Sequence, residues 1–209
     1  MADVIGNIQS LIDAANRTTG KADRDMTAAA KSLMAGYGTA EGENDFDALL
    51  SRSGTVIHNK TVKKIGLEAC QNYTSLVEFY GDSVETIGQY AFRGCVALVK
   101  AEFPKLVQIS DFRSFSNTGL QQFACGQMFR RFAGLLTFEA APMAALIIRA
   151  DCVVGLRHYN IFSKTPMETG GGYIYVPRKW VGEYQRATNW VQYADRIRAI
   201  EDYPEITGG

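Results

Sequence analysis

The chain has 209 residues, 46% of them hydrophobic and 21% charged, with 22 basic residues set against 22 acidic ones. That length allows one domain, or one domain with an appendage, and the composition is rich enough in apolar residues to build a core. The even charge balance excludes a global field that would gather nucleic acid or an anionic membrane, and no stretch approaches the ~18 apolar residues of a membrane span.

The opening MADVIGNIQSLIDAANR has neither a basic leader nor a continuous apolar core, so folding in a cytoplasm is expected. Val4, Ile5, Ile8, Leu11, Ile12 and Ala15 recur at helical spacing. Thr18-Thr19-Gly20 interrupts, and Met26, Ala29, Ala30, Leu33 and Met34 form a second helical stripe that stops at Gly36. Residues 1–37 are thus expected to be a two-helix segment. Two short helices cannot bury both stripes alone, so this segment is expected to anchor or oligomerise the chain. Residues 38–55 read as a polar linker. Its acids Glu43, Asp45 and Asp47 suit a helix N-terminus better than a calcium loop, which needs more oxygen ligands at fixed offsets.

From residue 56 to about 152 the sequence repeats. Val62, Ile65, Gly66, Ala69 and Leu76 recur as Val84, Ile87, Gly88, Ala91 and Leu98, each 22 residues later. Leu106, Ile109 and Leu120 continue the series, with Ser114-Phe115 one residue out of step. A second pattern reads Leu76–Phe79–Gly81, Leu98–Ala101–Phe103, Leu120–Phe123–Cys125, Leu135–Phe138–Ala140 and Ala145–Ile148–Ala150. This is the strand signature of leucine-rich repeats, whose units stack in parallel because no unit can bury its apolar face alone. The fold class expected is α/β, a leucine-rich-repeat solenoid of short parallel strands with helical or turn connections. The intervals from Leu120 to Leu135 and from Leu135 to Ala145 are too short for full rungs, so coiling should break down there. Residues 153–209 read as a capping region. SKTPMETGGG is a loop, YIYVP a strand ended by Pro177, and RKWVGEYQRATNWVQYADRIRAI helical, with Asn189 capping a second short helix that carries Val191, Tyr193, Ala194 and Ile197.

Little in the chain points to chemistry. Cys70, Cys95, Cys125 and Cys152 lack metal-ligand spacing, and are expected to be buried, reduced and hydrophobic in role. Cys95→Ser should then destabilise without affecting binding. His58 and His158 have no recognised nucleophile or carboxylate partner nearby in sequence. Gly20-Lys21 lacks the rest of a phosphate loop, and Gly170-Gly171-Gly172 precedes a strand where a dinucleotide fingerprint must follow one. No catalytic residue, metal ligand or cofactor is expected, and no enzymatic activity.

In VETIGQYAFRGCVALVKAEFP, residues Ile87, Gly88, Ala91, Phe92, Cys95 and Leu98 all match the unit Ile-Gly-x-x-Ala-Phe-x-x-Cys-x-x-Leu. The segment resembles the BspA-type leucine-rich repeat. The preceding unit departs from it, with Cys70 at the aromatic position and Tyr73 at the cysteine position. Residues from Ala144 onward resemble the C-terminal block of BspA-like proteins of phages and prophages of gut Firmicutes. Residues 4–38 are similar to a two-helix block on phage tail and other virion proteins. The resemblance implies a non-enzymatic virion structural protein, on tail, fibre or head, that displays its repeat surface to a host surface protein or glycan. Its N-terminal helices would bind other virion proteins, and homo-oligomers, no nucleic acid and no membrane insertion are expected. The alternative it implies is a bacterial cell-surface adhesin.

On the strands, positions between inward residues face solvent. Tyr80, Glu102, Ala124, Glu139 and Arg149 form one such column, and Glu78, Lys100, Gln122, Thr137 and Ile147 another. The candidate binding surface is Glu78, Tyr80, Lys100, Glu102, Gln122, Glu139 and Arg149. Tyr73, Tyr80, Tyr159, Tyr173 and Tyr175 could stack on sugars or pack on neighbours.

Overall fold

A computed structural model describes residues 54–60, 62–110 and 112–207. The two helices expected in residues 1–37 and nearly all of the expected linker lie outside the described residues.

Each rung begins with a four-residue strand, bends into a two-residue strand, and returns through a tight turn. The long strands are β1 (Val56–Asn59), β3 (Glu78–Gly81), β5 (Lys100–Phe103), β7 (Gln122–Cys125) and β9 (Ala145–Ile148). They are joined by β11 (Tyr173–Val176) and β12 (Ile197–Ala199) in one seven-stranded sheet, paired in parallel in that order. The short strands β2 (Lys64–Ile65), β4 (Thr86–Ile87), β6 (Gln108–Ile109), β8 (Arg131–Phe132) and β10 (Gly155–Leu156) form a second parallel sheet. The repeat connections are turns rather than helices. Short helices occur at Pro166–Thr169, Val181–Arg186 and Pro204–Thr207.

The 22-residue period becomes register. Glu78 pairs with Lys100, and Lys100 with Gln122. The next step, Gln122 to Ala145, is one residue longer. Coiling therefore does not break down between residues 120 and 145. The Leu135–Phe138–Ala140 pattern is a turn, not a strand: Phe115 N–H donates to Thr137 O, and Phe138 N–H to Ile161 O. Phe138 takes the turn position of Phe92 and Phe115 in its own rung. The expected helical C-terminus is also part strand. Ile197, assigned by periodicity to a second short helix, sits in β12 and pairs with Ile174.

Inward residues from both sheets and the turn fill one core. Ile57, Phe79, Ala101, Phe123, Leu146, Ile174 and Ile197 line it from the long strands. Ile65, Ile87, Ile109, Phe132 and Leu156 face them from the short ones. The turn position carries a phenylalanine ladder. Phe92 stacks on Phe115 at 4.9 Å, Phe115 on Phe138 at 5.6 Å, and Phe138 on Phe162 at 5.7 Å. Cys70 opens this column, and its N–H donates to Ala91 O. The first four turns each hold two left-handed residues, Glu68, Tyr90, Arg113 and Leu136 in one column and Asn72, Gly94, Asn117 and Ala140 in the other, and the fifth turn continues the second column with Lys164. The rung geometry thus persists where the sequence motif has faded. At Gly94 (φ 75°) glycine serves twice, because a Cβ there would lie 2.2 Å from Asn72 Oδ1. At Gly126 the demand is close approach, since a Cβ would sit 1.9 Å from Pro104 O.

The cysteine column shows why Cys95 is structural. Cys95 is fully buried, and its thiol donates to Cys70 O at 3.0 Å. One rung earlier, Tyr73 is buried with its hydroxyl donating to Gly54 O at 2.6 Å. One rung later, Thr118 Oγ1 donates to Phe115 O at 2.9 Å, and Thr165 further along donates to Phe162 O at 2.7 Å. The column is not purely apolar, which softens the penalty expected for a hydroxyl. Cys95→Ser is expected to cost only about 1 kcal/mol, because the carbonyl of residue 92 lies where Thr118 finds its own acceptor. Urea titration checks this, with Cys95→Val as the comparison that removes the donor.

Candidate functional site

The candidate site is the outward face of the seven-stranded sheet. Strand pleat places Val56, Glu78, Lys100, Gln122, Ala145 and Tyr173 in one outward row, and His58, Tyr80, Glu102, Ala124, Ile147, Tyr175 and Arg198 in the next.

Among the described residues, nothing packs over this face on the first three strands. The His58 and Tyr80 rings stack at 4.5 Å with 4° between their planes. Tyr80 donates its hydroxyl to Glu78 Oε2 at 2.5 Å, and Lys100 Nζ lies 5.1 Å from the ring centroid. The hydrogen bond to Glu78 holds the Tyr80 pKa above the ordinary phenol value, with burial adding to it. Glu102 receives two cations, Lys100 at 3.9 Å and Arg149 at 3.8 Å. Their side chains are about a third exposed. The patch combines aromatic faces, two carboxylates and two cations, all on strands fixed by a packed core.

The other half of the face is covered. Ala124, Ala145, Ile147 and Tyr175 form a buried cluster on which Ile200, Tyr203 and Ile206 pack. Tyr203 meets Tyr175 edge-on at 5.3 Å. Gln122 donates its amide to Ile206 O at 3.2 Å. Backbone N–H of Arg178 donates to both Glu201 carboxylate oxygens, and its guanidinium pairs with Asp202, clasping the segment.

Of the seven residues expected at the site, Glu78, Tyr80, Lys100 and Glu102 share the open patch. Arg149 joins them from just beyond β9. Gln122 stands at the border, engaged by the C-terminal segment. Glu139 is not on this face. It lies in the turn, 2.9 Å from Arg113 and 3.5 Å from Lys164, because residues 135–140 form a turn rather than a strand. For the same reason Thr137, expected outward, is fully buried and donates to Gly134 O. Ala124 and Ile147 do face outward, but they are buried beneath the C-terminal segment. Sequence reading missed His58 as a partner of Tyr80. The 22-residue period from Tyr80 back to His58 is the signal that locates it.

Tyr73 and Tyr175 are buried and serve packing, whereas Tyr159 and Tyr173 are exposed. Tyr184 and Tyr193 are buried and their pKa values raised by desolvation, that of Tyr193 to about 12. Cys125 is pushed up in the same way, as a buried thiol within the core. Among the described residues no group of three His, Cys, Asp or Glu side chains is placed to hold a metal, and no helix is long and apolar enough to cross a membrane.

Stacked parallel rungs of this length, with an inward apolar column and an outward mixed face, define a leucine-rich-repeat solenoid. Residues 44–139 match the family described as BspA type leucine rich repeat region, in six copies. No curated protein matches the chain significantly. Among solved structures, the crystal structure of a T. pallidum leucine-rich repeat protein is similar, at 21% sequence identity and a TM-score of 0.49. That similarity covers 62% of this chain and 60% of that one, less than two thirds of its length. The repeat architecture suits the chain to protein–protein interaction.

Proposed function

We propose that the chain is a non-enzymatic binding protein that recognises a host surface protein or glycan through the open half of its long-strand sheet, displayed on a phage particle. The open patch itself carries this reading. His58, Glu78, Tyr80, Lys100, Glu102 and Arg149 offer aromatic and charged groups on rigid strands, next to a face that the protein has sealed. The virion setting is supported by the likeness of the chain's two ends to phage-encoded blocks. In this reading residues 1–37 bind other virion proteins or a second copy of the chain. The repeat region by itself suits a bacterial cell-surface adhesin equally, and that is the second reading.

Mass spectrometry of purified particles from the source strain, with immunogold labelling, separates the two. The chain is expected on particles; finding it on bacterial surfaces and not on particles decides for the adhesin. The binding face has its own test. Tyr80→Ala removes the ring that His58 and Lys100 contact, and is expected to weaken partner binding about tenfold or more, as central aromatic anchors do. Melting should move little, because the ring lies on the surface. Unchanged affinity measured by surface plasmon resonance would place the interface elsewhere.

A further inference from the structure

The short-strand sheet has an outward face of its own. Register aligns Lys64, Thr86, Gln108, Arg131 and Gly155 in one row. Two residues further along each strand come Gly66, Gly88, Ser110, Ala133 and Arg157. Near the C-terminal end of the stack, Gln108, Ser110, Arg131, Ala133, Gly155 and Arg157 surround a recess of about 400 Å³. The recess exists because Gly155, Ala133 and Ser110 are small where their neighbours are long. Among the described residues its lining holds two guanidinium groups, a hydroxyl and an amide, and no carboxylate.

The hydrogen bonds leave this set of donors available. Arg131 Nε donates to Gln108 Oε1 at 2.9 Å, which fixes both planar groups. No acceptor among the described residues takes the terminal amino groups of Arg131 or the guanidinium of Arg157. Two described acids near this sheet are engaged elsewhere, Asp151 by Arg130 at 3.0 Å and Glu85 by Lys63 at 3.3 Å. Two guanidinium groups lining one small recess, with N–H groups that no described residue takes, suit an oxyanion, which accepts paired N–H bonds. Tyr159, two residues beyond Arg157, is 66% exposed, while its backbone carbonyl is held by Gln192 and Tyr193. An exposed aromatic ring on a fixed backbone, two residues along the chain from a recess-lining arginine, suits a sugar bearing an acidic group.

We propose that this recess binds the oxyanion of an acidic sugar, a carboxylate or a phosphate ester, independently of the long-strand face. NMR titration of the full chain with glucuronate, glucose 6-phosphate, inorganic phosphate and neutral glucose tests it, read at the Nε–Hε resonances of Arg131 and Arg157. Both acidic sugars are expected to shift these signals and glucose is not. Arg131→Gln and Arg157→Gln should each weaken binding about tenfold or more, whereas Arg198→Gln on the other sheet should not. Both arginines are exposed, so the variants should keep the fold; unchanged backbone spectra check that. No shift with either acidic sugar, an equal response to glucose, or equal weakening by Arg198→Gln overturns the site. Inorganic phosphate binding as tightly as the sugars overturns the sugar assignment.

Discussion

Phe115→Ala is expected to lower the unfolding free energy by about 3–5 kcal/mol. Phe115 is fully buried at the centre of the ladder, stacked between Phe92 and Phe138. It also meets Phe123 edge-on at 5.3 Å and Phe103 at 6.2 Å. Removing the ring loses its transfer free energy and opens a cavity that the fixed rungs on either side cannot collapse to fill. The loss also crosses two rung interfaces at once, and a solenoid depends on nearest-neighbour interfaces for its cooperativity. Chemical denaturation followed by circular dichroism measures it. Phe115→Leu, which keeps much of the volume, should cost clearly less; equal costs for the two, or a cost below about 1 kcal/mol for alanine, would show that the ladder is not what holds the rungs together.

Trp190→Ala is expected to be comparably severe, for a different reason. The last short strand, β10, has no following strand, yet its flank is sealed. Trp190 Nε1 donates to Val154 O at 2.7 Å, Val154 N–H donates to the Tyr184 hydroxyl at 2.9 Å, and Asn189 donates to Leu156 O at 2.8 Å. The indole is buried, edge-on to Tyr184 at 5.3 Å and to Phe132 at 6.1 Å. An uncovered strand edge exposes both apolar surface and unpaired backbone groups. Truncation should therefore cost about 3–5 kcal/mol and raise aggregation. Trp190→Phe preserves an aromatic ring and deletes the hydrogen bond, so it should cost only about 1–2 kcal/mol. Hydrogen exchange adds a spatial check: loss of protection should begin at β10 and β8, and uniform loss over all rungs would argue against an end cap.

The repeating part of the chain was legible because its residues are read twice, once in sequence and once in stacking. Ile87, Phe92, Cys95 and Leu98 name their own positions, and each is fully buried where the motif puts it. The open patch was legible for the same reason: Glu78 and Tyr80 fall two residues apart on a strand, with Lys100 and Glu102 one period on. Glu139 was misplaced because Leu135–Phe138–Ala140 imitates the apolar spacing of a strand. The backbone bonds from Phe115 to Thr137 and from Phe138 to Ile161 show that these residues form a turn. The helical reading of the C-terminus failed at Ile197 because a three-residue strand inside an apolar periodic run has no signature of its own, and pairing with Ile174 decides its state.

By itself, then, the sequence determined the period, the identity of the inward column and the exposure of the first strands' polar residues, because each of these is a local pattern repeated at constant offset. Tertiary structure alone decided how much of the face stays open. Ile200, Tyr203 and Ile206 reach Ala124, Ala145, Ile147 and Tyr175 across the fold, and Gln122 is joined to Ile206 over 84 positions of chain. No periodicity encodes such a contact. It forms because an apolar strip left on the outside of β7, β9 and β11 gains more from burial under the returning chain than from water.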